Sequence, residues 1–264
     1  MRNTSFSIHN INMKNIFFIL LIFISCDKKK EIIASTVLKK IEKNEAKVNS
    51  IDAETNSKTD TIVLDYKNNF NRADKILIRR NKTIKSKKNG ETIFYSLDFY
   101  KKGSKFYCHS YVSKNVYEGE DWSGYDEFFT DTIAKISDKR FINVSVGVPA
   151  CGYNQNNFLF FLGEKGVQLV CEYQSMGDGI YSTSDDFLPI FVNNKVVSFT
   201  RKNVSIDSDE SKPFDDANEN LVVTFQDSMG YTYQNDIWKS KNLSPKGKIF
   251  RKLFTSYKKY FKQN

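Results

Sequence analysis

From residue 61 onward, apolar and polar positions alternate along most of the chain, and a period of two marks half-buried strands. β-branched and aromatic runs bounded by turn residues occur at Thr61–Tyr66, Lys75–Ile78, Thr92–Tyr95 and Lys105–Cys108. They recur at Phe141–Val146, Asn157–Phe161, Val167–Val170, Val196–Thr200, Leu221–Phe225 and Tyr231–Trp238. Asn89-Gly90, Lys102-Gly103 and Lys165-Gly166 stand where a hairpin needs a residue at positive φ. About a dozen short strands with turns between them predict a mainly β fold, a single antiparallel β-rich domain. A sandwich, a barrel and an irregular propeller-like arrangement all fit. No repeat of about 40–50 residues points to a regular propeller array.

The pattern changes at both ends. Ile33, Val37 and Ile41 recur at helical spacing, and the stretch from Asn49 to Asp60 is polar without a period. Residues 26–60 are therefore expected to form a short helix and a polar tether, leaving 61–245 as the β-rich domain. At the other end Ile249, Phe250, Leu253, Phe254, Tyr257, Tyr260 and Phe261 fall on one helical face. Lys248, Arg251, Lys252, Lys258, Lys259 and Lys262 surround it, so 246–264 reads as a basic amphipathic helix. Such a helix docks on the β domain, lies on anionic lipid or binds a partner.

Ahead of the tether, the apolar run from Ile16 to Ser25 ends at Cys26, and Asp27-Lys28-Lys29-Lys30-Glu31 follows at once. The run is too short to span a bilayer, which takes about 20 apolar residues. It suits the apolar region of a signal peptide, with Lys14 before it and Ser25 at the cut. The pattern resembles the leader of a bacterial lipoprotein. Ile24, Ser25 and Cys26 match the end of that family's processing box, whereas Phe23 stands where the family most often has leucine. The resemblance implies that residues 1–25 are removed, with Met13 an alternative start. It also implies a diacylglycerol on Cys26 and a chain exported and anchored to a bacterial membrane. An ordinary secretory leader and a buried N-terminal helix are the alternatives.

Composition narrows the rest. The chain has 264 residues, 40% hydrophobic and 14% aromatic, which excludes a disordered class. Pro and Gly number only 4 and 12, so no hinge announces a second domain. The net charge of +9 comes from 40 basic and 31 acidic residues. Residues 239–264 hold nine Lys/Arg and no acid, and subtracting those nine leaves 31 of each sign in residues 1–238. The charge belongs to the tail, and no diffuse basic face for nucleic acid follows.

Candidate chemistry is sparse. Once the leader is gone His109 is the one histidine left, which excludes a multi-histidine metal site. It alternates with Cys108 in a strand-like run, so one of the two faces the core. No P-loop, Gly-x-Ser-x-Gly or dinucleotide fingerprint occurs. Glu120, Asp121, Asp126 and Glu127 lie among Trp122 and Tyr125, and such carboxylates would serve a glycan hydrolase if two of them faced each other. Asp65, Asn69, Asn71 and Asp74 sit in a stretch that resembles a degenerate calcium loop of integrin-type propeller repeats, without its central Asp-Gly. Asp207 to Glu219 reads as a solvated loop. Gly147 to Asn157, with four consecutive amides, reads as a long turn or a ligand-presenting loop. In an exported chain Cys151 and Cys171 are the candidate disulfide, with Cys108 a buried thiol; all three reduced is the alternative. The expected role is non-catalytic binding of an envelope protein or glycan at the membrane, with no cofactor other than calcium. A carboxylate-dependent hydrolase and an anchored inhibitor or immunity protein are the alternatives.

Overall fold

The computed structural model describes residues 53–54, 59–64, 73–86, 90–116, 120–148, 153–178, 181–213 and 219–263. Cys26, the leader and most of the tether lie outside them. In the first sheet β3 (Lys75–Ser86), β4 (Gly90–Lys101) and β5 (Ser104–Val116) form an antiparallel meander. β1 (Ala53–Glu54) and β2 (Thr59–Val63) follow one another along the outer edge of β3. Strand structure therefore begins inside the stretch expected to be tether, because Ile62 and Leu64 are buried and draw their neighbours onto the sheet.

The second sheet runs β6 (Asp121–Tyr125), β9 (Phe141–Val148), β10 (Tyr153–Gly163), β11 (Gly166–Asp178), β12 (Tyr181–Val192), β13 (Lys195–Ser208) and β14 (Asn220–Gln234). β15 (Ile237–Asn242) and β16 (Ile249–Ser256) share the far edge of β14. A ribbon of β7 (Thr130–Asp131) and β8 (Ile136–Ser137) sits between β6 and β9 in the chain, and α1 (Tyr257–Gln263) follows β16.

β10 is the centre of the molecule. Phe158, Phe160 and Leu162 point to a core shared with Ile76, Ile78, Leu97 and Phe99 of the first sheet. Leu159 and Phe161 point the other way, into a core with Phe129, Phe141, Phe199, Tyr231 and Trp238. Burial on both faces explains the unbroken apolar run of this strand. The second core exists because the sheet beyond β10 curls back on itself. β15 is brought near β11, and the Gln168 amide donates to Trp238 O and accepts from Trp238 N, both at 2.8 Å. One side chain thus takes the place of a strand pairing across the seam. A third cluster, Val204, Ile206, Leu221, Val223 and Phe225, fills the far halves of β13 and β14.

Several sequence expectations change. Tyr231–Trp238 is not one strand: Asn235 and Asp236 have φ of 52° and 66° and make a tight hairpin turn between β14 and β15. Asn193-Asn194, at 49° and 61°, does the same between β12 and β13. β12 has no counterpart in the pattern because Asp185, Asp186 and Pro189 interrupt it. Pro189 is tolerated because β12 pairs along its length only with β13, β11 meeting it only at Tyr181–Thr183. The expected C-terminal helix is confined to Tyr257–Gln263, and Ile249–Ser256 is strand. Leu253 and Tyr260 both reach the third cluster, one from the strand and one from the helix. The free edge of β14 takes the segment as a partner and overrides its helical spacing. Asp207 to Glu219 is only partly loop: Asp207 and Ser208 close β13, and Asp209 and Glu219 are buried.

Candidate functional site

The carboxylates from Glu120 to Glu127 do not form one site. Glu120 accepts a hydrogen bond from the buried phenol of Tyr95, and burial with that contact pushes the phenol well above its ordinary range. Asp126 and Glu127 lie at the other end of β6, where Lys139 approaches both, at 3.9 Å and 3.0 Å. The five residues of β6 lie between Glu120 and Asp126, which an extended rise of 3.3 Å per residue converts to about 20 Å. A hydrolytic pair needs about 5–9.5 Å. Asp121 is exposed on β6, and alternation along the strand turns Trp122 into the first core.

Of the calcium candidates, Asp65, Asn69 and Asn71 lie outside the described residues. Asp74 is occupied in holding the fold, since its carboxylate accepts from Lys102 N at 2.6 Å and its own N–H donates to Tyr100 O. It thereby fixes the β4–β5 turn, where Lys102 and Gly103 both have positive φ. Among the described residues no group of three His, Cys, Asp or Glu side chains could hold a metal.

The amide-rich segment is strand rather than turn from Tyr153 onward, and residues 149–152 lie outside the described residues. Its amides join a buried polar ladder across β9, β10 and β11. Asn143 donates to Ser145 Oγ at 2.9 Å, Ser145 donates to Asn157 Oδ1 at 2.6 Å, and Asn157 donates to Ser175 Oγ at 3.1 Å. The Tyr173 hydroxyl completes it by donating to Asn143 Oδ1 at 3.0 Å. Buried amides are kept by partners of this kind.

Of the candidate disulfide pair, only Cys171 lies among the described residues. Cys171 carries a free thiol in the second core, opposite Leu159, and burial pushes it up to about 12. Cys151 itself lies outside the described residues. Cys108 is exposed rather than buried, because β5 turns its odd-numbered residues inward. Beside it Asp98 is buried between Arg79 at 3.2 Å and Lys105 at 2.9 Å. Burial alone would raise the Asp98 carboxyl, but hydrogen bonds from Lys105 and Cys108 hold it below its ordinary value.

The inward partner of Cys108 is His109, packed 5.3 Å from the Phe160 ring and 5.7 Å from Phe158. Burial depresses its imidazole pKa below 6.5 despite the pull of Glu172. The unfolded chain then binds the proton more readily than the native one, so stability rises with pH across this window. His109 is expected to leave stability intact above pH 6.5 and to erode it as pH falls below that value toward the depressed native pKa. Urea denaturation of wild type and His109→Gln between those limits tests this; equal pH slopes would refute it.

Where the curl opens, a cleft of about 920 Å³ lies at the turn end of the sheet. It is lined by Lys101 from the first sheet, by Arg140, Phe161 and Glu164, and by Lys195, Tyr233 and Asp236. Arg140 is fixed by Asp138, whose carboxylate accepts from Arg140 Nε at 2.8 Å and Nη2 at 2.6 Å. The same carboxylate accepts from Val196 N at 2.8 Å, tying the segment before β9 to β13. The guanidinium lies over the rings of Phe161 and Tyr233 at 5.0 Å and 5.9 Å. Asp236 is paired with Lys165 at 2.7 Å. Lys101 and Lys195 are left as the cations of the rim, with Glu164 the remaining acid. The size falls within the range of small-ligand sites, about 300–1,000 Å³. None of these residues stands out in the sequence, since five separate turns and strand ends supply them.

No family model, curated protein or solved structure matches this chain.

Proposed function

We propose that the chain is exported, held at a bacterial membrane through a diacylglycerol on Cys26, and acts there as a non-catalytic binding protein. The apolar run ending at Ser25-Cys26 supports the anchor. The cleft at the turn end of the curled sheet carries the binding reading. It has the half-buried ring of Tyr233 on its wall, a fixed guanidinium at Arg140, and two lysines at the rim. That chemistry fits a glycan or other envelope component bearing a negative group, whose ring or chain would lie against Tyr233 while Lys101 and Lys195 meet the charge.

The anchor and the ligand are tested separately. Mass analysis of the N-terminal peptide is expected to find acylated Cys26, and Cys26→Ser is expected to lose membrane retention. An array of anionic and neutral glycans and envelope fragments, probed with wild type and Lys195→Glu, tests the cleft. Selective binding of acidic members, weakened at least about tenfold by the reversal of a cation in contact with them, is expected. Equal binding by both proteins would overturn the cleft assignment while leaving the anchor standing.

A further inference from the structure

The C-terminal edge is chemically unlike the rest of the surface. From Lys239 to Asn264 the chain holds nine basic residues and no acid, although the remainder of the protein is charge-balanced. The structure places much of this segment on one exposed edge. β16 pairs with β14 on one side only, and alternation along it turns Leu253 to the third cluster while Lys252 and Phe254 face away. Phe254 is 63% exposed, and Ile249, Phe250, Tyr257 and Phe261 are exposed as well. Tyr257 and Phe261 lie against each other on α1, with ring centres 4.7 Å apart. Lys241, Lys246, Lys248, Lys252 and Lys259 are exposed along the same C-terminal segment. Three acids lie at the margin: Asp227 accepts from Gly247 N, Glu219 accepts from the Tyr181 hydroxyl, and Asp186 lies near Tyr260 with Lys202 beside it.

We infer that the β16–α1 edge docks on an anionic phospholipid bilayer. Positive charge without acid would draw the edge to acidic headgroups, at roughly fivefold in partitioning per lysine near the surface. Aromatic rings also stack on bases and sugars, but the exposed aliphatic side chains of Leu243 and Ile249 in the same segment gain only from hydrocarbon, and at a bilayer they and the phenylalanines enter the boundary between headgroups and acyl chains. The two features together select a membrane over a nucleic acid or an acidic glycan. The inference stands on these side chains and does not depend on a lipid at Cys26.

The full chain is tested against vesicles of phosphatidylcholine alone and of phosphatidylcholine mixed with phosphatidylglycerol. Binding through the leader or an acylated Cys26 is common to all variants, so the difference between vesicle types and between variants isolates the edge. Lys252→Ser with Lys259→Ser is expected to lower partitioning onto the mixed vesicles roughly 25-fold, the product of two such lysine factors, and to leave phosphatidylcholine binding unchanged. In a separate variant, Phe254→Trp, emission is expected to move to shorter wavelength on the mixed vesicles only. All the substituted side chains are exposed, and unchanged thermal melting will show that the variants are folded. Equal binding to both vesicle types would overturn the inference. So would an unmoved Trp emission on vesicles from which heparin displaces the protein, since that would mark a site for soluble polyanions.

Discussion

Replacing Phe160 and Phe161 together by alanine is expected to leave the domain unfolded at room temperature. Each ring is fully buried, and each loss costs about 3–5 kcal/mol when a large aromatic is removed from a packed core. The neighbours of the two rings are different. Phe160 packs against Phe99, Tyr107 and His109. Phe161 packs against Phe141, Tyr233 and Trp238. Adjacent residues usually couple, but groups without shared partners add nearly independently. The double variant should therefore lose about 6–10 kcal/mol, comparable to the 5–15 kcal/mol that holds an ordinary domain together. Urea unfolding followed by circular dichroism gives the comparison. A double variant no less stable than the weaker single variant would mean that the two cores are not separate.

Asp138→Ala is the second large loss. The side chain is 3% exposed and makes four contacts, to Arg140 Nε and Nη2 and to the backbone N–H groups of Arg140 and Val196. Removing it strands a guanidinium that is only 17% exposed and a buried N–H, and losing one partner of such a pair costs about 3–5 kcal/mol. Deleting both partners should hurt less than deleting one, because no buried charge remains. Asp138→Ala combined with Arg140→Met is thus expected to melt above Asp138→Ala alone. A double variant that melts lower would show that the guanidinium stabilises the fold through Phe161 and Tyr233 rather than through Asp138.

The sequence makes some of this visible and hides the rest for identifiable reasons. Alternation and Gly-containing turns are enough to read a mainly β, antiparallel domain, since period-two patterning survives wherever one face is buried. The strands are longer than their apolar runs because Arg, Lys and Thr continue the ladder past the core, as in Lys75–Ser86. Turns without glycine escape the pattern, although Asn193-Asn194 and Asn235-Asp236 are residue types that accept positive φ. β12 escapes it because buried Asp185 and edge-tolerated Pro189 make sense only beside Arg201, which pairs with Asp185 at 2.8 Å, and beside a partner on one side. The cleft is not legible at all. Lys101, Arg140, Glu164, Lys195 and Asp236 come together only through the curl of the sheet, which no local pattern encodes.

The polar ladder has a consequence for how β10 finds its place. A strand that is apolar on both faces is badly specified by hydrophobicity alone, because sliding it one residue past β9 and β11 exchanges Phe160 for Phe161 between two greasy environments. In Phe158–Leu162 such a slip would bury nearly the same surface. It would also carry Asn157 away from Ser145 and Ser175 and leave amides facing hydrocarbon. Asn143, Ser145, Asn157 and Ser175 therefore act as a ratchet pawl for the centre of the molecule, making the misaligned strand costly where phenylalanines alone would tolerate it.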